Sequence, residues 1–240
     1  MNPPPPRLQW AGARVAMTAI VLAASVLGHS TTVGRAQGQG RPDALAPQRH
    51  SKLYSPLDLG LLESPDRAAW QKPDQIMDAL KIAEGAAVAD IGAGAGWFTI
   101  RLARRVGPNG IVYAQDVQRL MLEAIRRRVQ REGLQNVQPR QGSGTSPNLY
   151  PKSVDAALLV EVYAEIEVGD RVTFLRNLTQ ALKPNGMIGI VNWKPGEGGP
   201  GPNADARVPS EVVEADARTA HLRVRAHENL PYQYLLVLAP

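Results

Sequence analysis

The stretch Val88-Ala89-Asp90-Ile91-Gly92-Ala93-Gly94-Ala95-Gly96-Trp97-Phe98, VADIGAGAGWF, decides the fold. A short apolar run leads into five small residues at 92–96, and a helical pattern follows over 96–106. Glycines at a turn from strand to helix let a ligand approach the main chain closely. The stretch therefore predicts a ligand-binding turn in an α/β fold.

Strand and helix patterns alternate after this turn. Strands are predicted at 86–91, 111–115, 137–141, 155–161 and 187–193, and helices at 96–106, 118–132 and 171–182. Helical segments over 67–83, interrupted at Pro73, come first, and a helix at 210–219 with two strands at 221–226 and 232–238 comes last. We therefore predict a Rossmann-like, doubly wound α/β fold. Its seven-stranded sheet is mostly parallel, with an antiparallel C-terminal edge and helices on both faces.

The N-terminal part of the chain differs from the rest in composition. Residues 1–36 contain Arg7, Arg14 and Arg35 but no acidic residue, and 15–28 are uncharged and mostly apolar. That run is shorter than the ~20 residues of a membrane-spanning helix. Residues 1–36 therefore predict a signal peptide or an N-terminal anchor, residues 37–65 a flexible linker, and 66–240 the folded domain. We expect an exported protein, periplasmic or secreted, if the leader is cleaved, and one anchored to the membrane by its N-terminus otherwise.

Composition excludes several function classes. The chain has 27 Lys+Arg against 22 Asp+Glu, and three of the basic residues lie in the leader, which weakens a nucleic-acid interpretation. The run 126–128 with Arg131 is interpreted as a solvated helix face. The absence of cysteine excludes thiol catalysis and disulfides, and the four scattered histidines predict no metal site.

A carboxylate at the end of the second predicted strand indicates a ligand that contains a nucleoside. Asp116 ends the second predicted strand 24 residues after Gly92, where it can accept both hydroxyls of a ribose. Dinucleotide sites and sulfonium-nucleoside sites share this arrangement. The dinucleotide pattern G-x-G-x-x-G needs a small last residue for close helix packing, and Trp97 stands there. Trp97 therefore argues against a nicotinamide-dependent oxidoreductase.

Segment 90–96, DIGAGAG, resembles motif I of the class I S-adenosylmethionine-dependent methyltransferases. The resemblance covers roughly 70–238. It includes WQKP at 70–73, VYAQD at 112–116 as the acidic motif after motif I, LKPNG at 182–186 and LPYQY at 230–234.

This resemblance implies S-adenosylmethionine as cofactor and assigns residues to its parts. Asp90, Ile91, Gly92, Ala93 and Gly94 would meet the methionine part, with Asp90 near its ammonium group. The ribose and adenine would be held by Asp116, Val117, Gly142 and Ser143. The family usually has an acidic residue where Ser143 stands, so one hydrogen bond to the adenine is expected to be weaker.

The acceptor side is less defined. Glu161, at the end of the fourth strand, is the candidate base or substrate-orienting residue and a candidate cofactor contact. Trp70, Lys72 and Tyr163 are candidate acceptor contacts, although the two aromatic residues are equally compatible with the core. The Pro/Gly-rich segment 194–209 is interpreted as a lid or a flexible connection. The prediction is methyl transfer to a small molecule or an accessible side chain, with a non-catalytic cofactor-binding or scaffold protein as the alternative.

Overall fold

A computed structural model describes residues 64–196 and 198–240 of the 240-residue chain. The predicted signal peptide or anchor at 1–36 and nearly all of the predicted linker at 37–65 lie outside the described residues. Glu197, within the Pro/Gly-rich segment, also lies outside them.

Two short helices precede the sheet. Helix α1 (Arg67–Gln71) and helix α2 (Pro73–Ala79) are separated by Lys72, whose φ of 53° is left-handed. Proline lacks the amide hydrogen that a helix interior needs, but it fits the first turn, and Pro73 occupies that place in α2. The interruption predicted at Pro73 is therefore confirmed.

The sheet has seven strands in the order β3-β2-β1-β4-β5-β7-β6. Their bounds are β1 (Ala87–Ile91), β2 (Ile111–Asp116), β3 (Val137–Gln141), β4 (Val154–Val160), β5 (Leu182–Trp193), β6 (Arg223–Asn229) and β7 (Gln233–Ala239). The first five strands pair in parallel, and β7 pairs antiparallel with both β5 and β6. The predicted mixed sheet and its antiparallel edge are confirmed.

Helices cover both faces of the sheet. Successive side chains of a strand point to opposite faces, and here both faces are apolar and are buried by helices. Val88 and Leu158 face α2 and helix α3 (Trp97–Val106). Helix α4 (Arg119–Arg131) packs on Ala114 on the same face. Neighbouring strand residues such as Ala89 and Leu159 face helix α5 (Arg171–Ala181) and helix α6 (Ser210–Thr219) on the other side.

The C-terminal boundaries differ from the prediction. The predicted helix to residue 182 ends at Ala181, and β5 begins at Leu182, which pairs with Val154. Pairing resumes only at Met187, because 183–186 form an excursion with Asn185 at a φ of 66°.

The last two strands are also displaced from the predicted 221–226 and 232–238. Strand β6 begins two residues late because His221 is left-handed and donates its amide hydrogen to Arg218, which ends the turn after α6. The turn into β7 is closed by the Leu230 amide, which donates to the Gln233 carbonyl at 2.9 Å.

The strand order reverses between β1 and β4, the place where ligands bind in such sheets. Within the described ranges, no helix is long and apolar enough to span a bilayer.

Candidate functional site

Four connections meet at the carboxyl edge of the parallel strands. Residues 92–96 follow β1, 117–118 follow β2, 142–146 follow β3 and 161–165 follow β4. Since these strands are parallel neighbours, their following residues are brought to one edge of the sheet. Most of the sequence-predicted cofactor residues therefore lie in one region.

The glycine-rich turn uses left-handed backbone and close packing. Gly92, Gly94 and Gly96 have φ values of 64°, 53° and 82°. A Cβ atom on Gly92 would overlap the side chain of Val162, which follows β4. Gly92 is therefore needed for close packing between this turn and the connection after β4, in addition to its predicted role toward a ligand.

Asp116 ties β2 to the glycine-rich turn. Its Oδ2 accepts the Gly94 amide hydrogen at 2.9 Å, and its Oδ1 accepts that of Gln118 at 2.8 Å. Burial raises the pKa of this carboxyl, and the amides of Gln118, Gly94 and Val117 oppose that shift. A carboxylate has about four acceptor positions, so Asp116 keeps capacity for two ribose hydroxyls. Its chemistry and position fit the predicted cofactor.

Asp90 is buried at the penultimate position of β1, just before the glycine-rich turn. It is 3 % exposed, and its Oδ2 accepts the Thr99 hydroxyl hydrogen at 2.6 Å. Burial raises the pKa of Asp90 to about 7, the Thr99 bond lowers it, and the negative charge of Asp116 raises it further. A carboxylate here would attract an ammonium group, and its contact with the cofactor stays a prediction.

Gln115 was missed by the sequence analysis. It is 2 % exposed, and its Oε1 accepts the Gly92 amide hydrogen at 3.3 Å. A Cβ atom on Gly142 would overlap the Gln115 side chain, so Gly142 lies where only a glycine leaves room for it. An amide residue in a buried strand, next to Asp116, was the available sequence signal.

The predicted adenine residues lie near this edge but are less buried. Val117 is half-buried and Ser143 is exposed. The Ser143 hydroxyl accepts the Ser146 amide hydrogen at 3.1 Å, and the Ser143 amide donates to the Ser146 carbonyl at 2.8 Å. Ser143 is thus engaged in its own turn, and its role toward adenine stays a prediction.

Glu161 is held by a buried polar network that the sequence analysis did not predict. Its Oε1 accepts hydrogen bonds from Gln71 Nε2 at 3.0 Å and from Gln233 Nε2 at 2.8 Å. Both glutamines are 0 % exposed, and Gln71 also donates to Gln233 Oε1 at 2.9 Å. Arg67 donates to Gln71 and lies 4.0 Å from Glu161 Oε1.

Glu161 also has an unusual backbone. Its φ of 62° is left-handed, which is unfavourable for a residue with a side chain. Its side chain remains 25 % exposed, and no side chain in the described ranges bonds to its Oε2. The network therefore fixes one carboxylate oxygen and leaves the other available to a ligand.

The predicted acceptor residues separate in the structure. Trp70 is half-buried, and its ring lies 5.3 Å from Trp193 and 6.4 Å from Tyr232. We call these three residues the Trp70 cluster. Lys72 is exposed at the break between α1 and α2. Both residues remain candidates for contact with an acceptor.

Tyr163 does not fit the predicted acceptor role. It is 0 % exposed and belongs to the core between the sheet and α5. Its hydroxyl donates to Asp216 Oδ2 at 2.7 Å, and burial together with that carboxylate raises its pKa above the usual range for tyrosine. We correct the prediction, because a fully buried side chain offers no surface to an acceptor.

The Pro/Gly-rich segment is ordered by a single arginine. Arg207 donates to the carbonyls of Pro202, Lys194, Gly196 and Gly198 at 2.9, 3.2, 2.9 and 2.7 Å. Cβ atoms on Gly199 and Gly201 would overlap Tyr232 and Trp193. The described part of this segment is therefore held against the Trp70 cluster and does not have the character of a flexible connection.

Trp97 begins α3 and is 7 % exposed. The Arg101 guanidinium carbon lies 3.4 Å from its ring centroid, and that of Arg67 lies 4.5 Å away. A buried indole thus occupies the place of the small residue in the dinucleotide pattern. Across residues 64–196 and 198–240, no three His, Asp or Glu side chains are grouped as metal ligands.

Comparisons with known proteins agree with this geometry. Residues 88–186 match a family described as methyltransferase domain. A demethylmenaquinone methyltransferase of Lactobacillus johnsonii is 29 % identical over 123 residues, 51 % of this chain and 49 % of that protein. One from Geobacillus stearothermophilus is 29 % identical over 118 residues, 49 % of each protein. The chain therefore spans about half the length of the curated relatives it matches.

Solved structures share the fold more completely. A SAM-dependent methyltransferase from Aquifex aeolicus matches with a TM-score of 0.74 and 26 % identity, covering 78 % of this chain and 98 % of that one. The [4+2]-cyclase SpnF matches with a TM-score of 0.58 and 21 % identity, covering 68 % of this chain and 60 % of that one, and shows the fold alone.

The chain carries a class I S-adenosylmethionine-dependent methyltransferase domain. The cofactor of this domain class is S-adenosylmethionine, as the sequence predicts.

Proposed function

We propose that this protein transfers the methyl group of S-adenosylmethionine to a nucleophile bound beside Glu161. The observation that carries the proposal is the hydrogen bond between Asp116 and the Gly94 amide. It joins the carboxylate that is predicted to hold the ribose to the glycine-rich turn within a methyltransferase domain.

The bound cofactor supplies an electrophilic methyl group on a sulfonium, so the protein contributes mainly position. Asp116 would hold the ribose, and 92–94 would hold the methionine part, with Asp90 attracting its ammonium. Glu161 Oε2 would accept a hydrogen bond from the methyl acceptor. Where the acceptor must be deprotonated before methyl transfer, the same oxygen would take the proton.

The acceptor is proposed to be a small molecule with an aromatic part, although an accessible protein side chain is the other class to test. The Trp70 cluster supports an acceptor with an aromatic part, because aromatic rings can stack on it close to Glu161. Trp70 precedes Gln71, and Trp193 pairs with Gln233 in the sheet; these two glutamines hold Glu161. Demethylmenaquinone is the first acceptor to test, because the curated relatives are named for it.

Calorimetry on the full chain tests the cofactor half of the proposal. We expect S-adenosylmethionine to bind and Asp116→Ala to weaken binding by tenfold or more, roughly the loss of one or two hydrogen bonds to a charged group. Asp205→Asn, at an exposed position, serves as the matched control. Absence of binding at high micromolar cofactor, with no effect of Asp116→Ala, would overturn the proposal.

A labelled-methyl assay tests the acceptor half. The protein is incubated with methyl-labelled S-adenosylmethionine and either demethylmenaquinone or fractionated cell extract. Label in the small-molecule fraction supports the proposed acceptor class, whereas label in protein supports a side-chain acceptor.

The second candidate is a non-catalytic cofactor-binding or scaffold protein. It is favoured by Ser143, which stands in place of an acidic residue and is engaged in its own turn. Cofactor binding without transfer in either fraction would support this candidate over the enzyme.

The location of the protein is proposed from residues 1–36, as an exported or N-terminally anchored protein. Fractionation with N-terminal sequencing separates the two cases. An N-terminus near residue 37 indicates cleavage, and one at Met1 indicates an anchor or no export.

A further inference from the structure

Helices α3 and α4 carry a strongly uneven share of the charge. Together they contain eight arginines and one acidic residue, Glu123. The rest of residues 64–240 has 13 Lys or Arg against 18 Asp or Glu. The positive charge of the folded domain is thus concentrated on one pair of helices.

The two helices lie side by side on the same face of the sheet. Arg104 of α3 pairs with Glu132 after α4 at 2.6 Å, and Arg128 of α4 donates to the Ala95 carbonyl before α3 at 3.2 Å. Partial burial and the positive charges of Arg128, Arg67 and Arg104 lower the pKa of Arg101. Like charges are therefore kept close together although they repel one another.

The outer surface of this pair is basic and contains one large apolar side chain. Arg126, Arg127 and Arg131 are exposed and form no ion pair with any residue that the structure describes. Leu120 is 58 % exposed among them. We call Arg101, Arg104, Arg119, Arg126, Arg127 and Arg131, with Leu120, the basic face. The apolar face of α4 packs on the sheet, so Leu120 is the apolar side chain that this charged surface can offer to a lipid layer.

We propose that the basic face docks on a bilayer surface that carries anionic phospholipid headgroups. Arginines near such a surface each strengthen binding, and an exposed leucine can enter the boundary between headgroups and acyl chains. The sequence also has an apolar stretch at 15–28. Stable membrane association commonly combines an apolar anchor with a basic surface, so this stretch and the basic face would act together.

Nucleic acid fits the basic face less well. Sequence-independent binding of single strands uses aromatic side chains on which bases stack. The aromatic residues of α3, Trp97 and Phe98, are 7 % and 4 % exposed, and α4 contains none. The face therefore offers charge and an apolar side chain but no stacking platform.

Vesicle co-sedimentation of the full chain tests the proposal. Vesicles of phosphatidylcholine alone are compared with vesicles containing phosphatidylglycerol, because the apolar stretch at 15–28 can bind both and the basic face only the second. The triple variant R126Q/R127Q/R131Q is expected to lose about 100-fold in affinity for the anionic vesicles, about fivefold per arginine. Salt at about 0.5 M should remove the same component.

The control R218Q/R223Q/R225Q removes the same number of positive charges from α6 and β6, outside the basic face. Its affinity for the anionic vesicles should stay within about threefold of the unmodified protein. The variant R126K/R127K/R131K should retain binding and shows that charge is the cause. Equal affinity for the two vesicle types, or equal loss in the two glutamine triples, would overturn the proposal. Tighter binding to a labelled oligonucleotide than to anionic vesicles would assign the face to nucleic acid instead. S-adenosylmethionine calorimetry on the same variants separates this outcome from failure of the proposed enzymatic function.

Discussion

Thr99 Oγ1 donates a hydrogen bond to Asp90 Oδ2 at 2.6 Å inside the protein, where Asp90 is 3 % exposed. This bond joins the end of β1 to the first turns of α3 across the glycine-rich turn. It stabilises a carboxylate whose burial raises its pKa to about 7.

Asp90 is expected to make stability depend on pH. Since its pKa in the folded protein is raised from 3.8 to about 7, its stabilising contribution is present below about pH 4 and is lost as the pH rises through 7. Asp90→Asn keeps a partner for Thr99 without the charge. It should raise the free energy of unfolding at pH 8, by up to about 4 kcal/mol, and change it much less at pH 4. Urea unfolding at both pH values measures this difference, with Asp205→Asn as control, and an equal change at both would contradict it.

The same substitution is expected to weaken cofactor binding. An asparagine cannot attract the ammonium of S-adenosylmethionine as a carboxylate does, so affinity at pH 8 should fall by roughly tenfold. Calorimetry with S-adenosylmethionine and with 5′-methylthioadenosine, which lacks the amino-acid portion, isolates that group. Equal loss for both ligands would place the effect of Asp90 elsewhere.

Gly142 and Gln115 are expected to be energetically coupled. Gly142→Ala places a methyl group against the Gln115 side chain and should destabilise the protein by about 1–3 kcal/mol. In a Gln115→Ala background the loss should be smaller by at least about 0.5 kcal/mol, with the Ser146 carbonyl as the remaining obstacle. Thermal unfolding of the four proteins in the cycle measures the coupling, and strict additivity would show that the two positions act independently.

Gln233 and Glu161 are expected to stabilise each other. Gln233→Met removes the 2.8 Å bond to Glu161 while roughly keeping the volume, and the loss should be about 1–3 kcal/mol. In a Glu161→Ala background the same change should have a smaller effect, because the carboxylate that the amide serves is gone. Urea unfolding gives the coupling energy, and the exposed Gln130→Met is the control. An identical loss in both backgrounds would mean that Gln233 acts only through packing.

Arg207 is expected to hold the Pro/Gly-rich segment in place. Arg207→Gln removes most of the hydrogen bonds to the Lys194, Gly196 and Gly198 carbonyls, so amide exchange in this segment should become about tenfold faster or more. Hydrogen exchange with mass spectrometry measures it, and amides of β1 and β4 serve as the internal reference. Unchanged exchange in the segment would show that packing on Trp193 and Tyr232 is sufficient.

Local patterns predicted most elements because each depends on residues close in sequence. The left-handed glycines, Pro73 at the start of α2, and the two-residue alternation of the strands are properties of this kind. The late start of β6 was missed because the left-handed backbone of His221 extends the turn after α6. The excursion in β5 was missed because pairing with β4, a distant segment, decides where β5 begins.

The sequence by itself determined the alternation of strands and helices, the glycine-rich turn and the two carboxylates, Asp90 and Asp116, that predict the cofactor. Turn chemistry and residue spacing depend on residues that are close in sequence, so the sequence alone determines them. Only the tertiary structure decided that Gln71 and Gln233, which are 162 positions apart, both donate hydrogen bonds to Glu161. It also decided that Tyr163 belongs to the core. Contacts between distant segments depend on strand order and on which face each side chain takes, and neither is contained in the residues around Glu161.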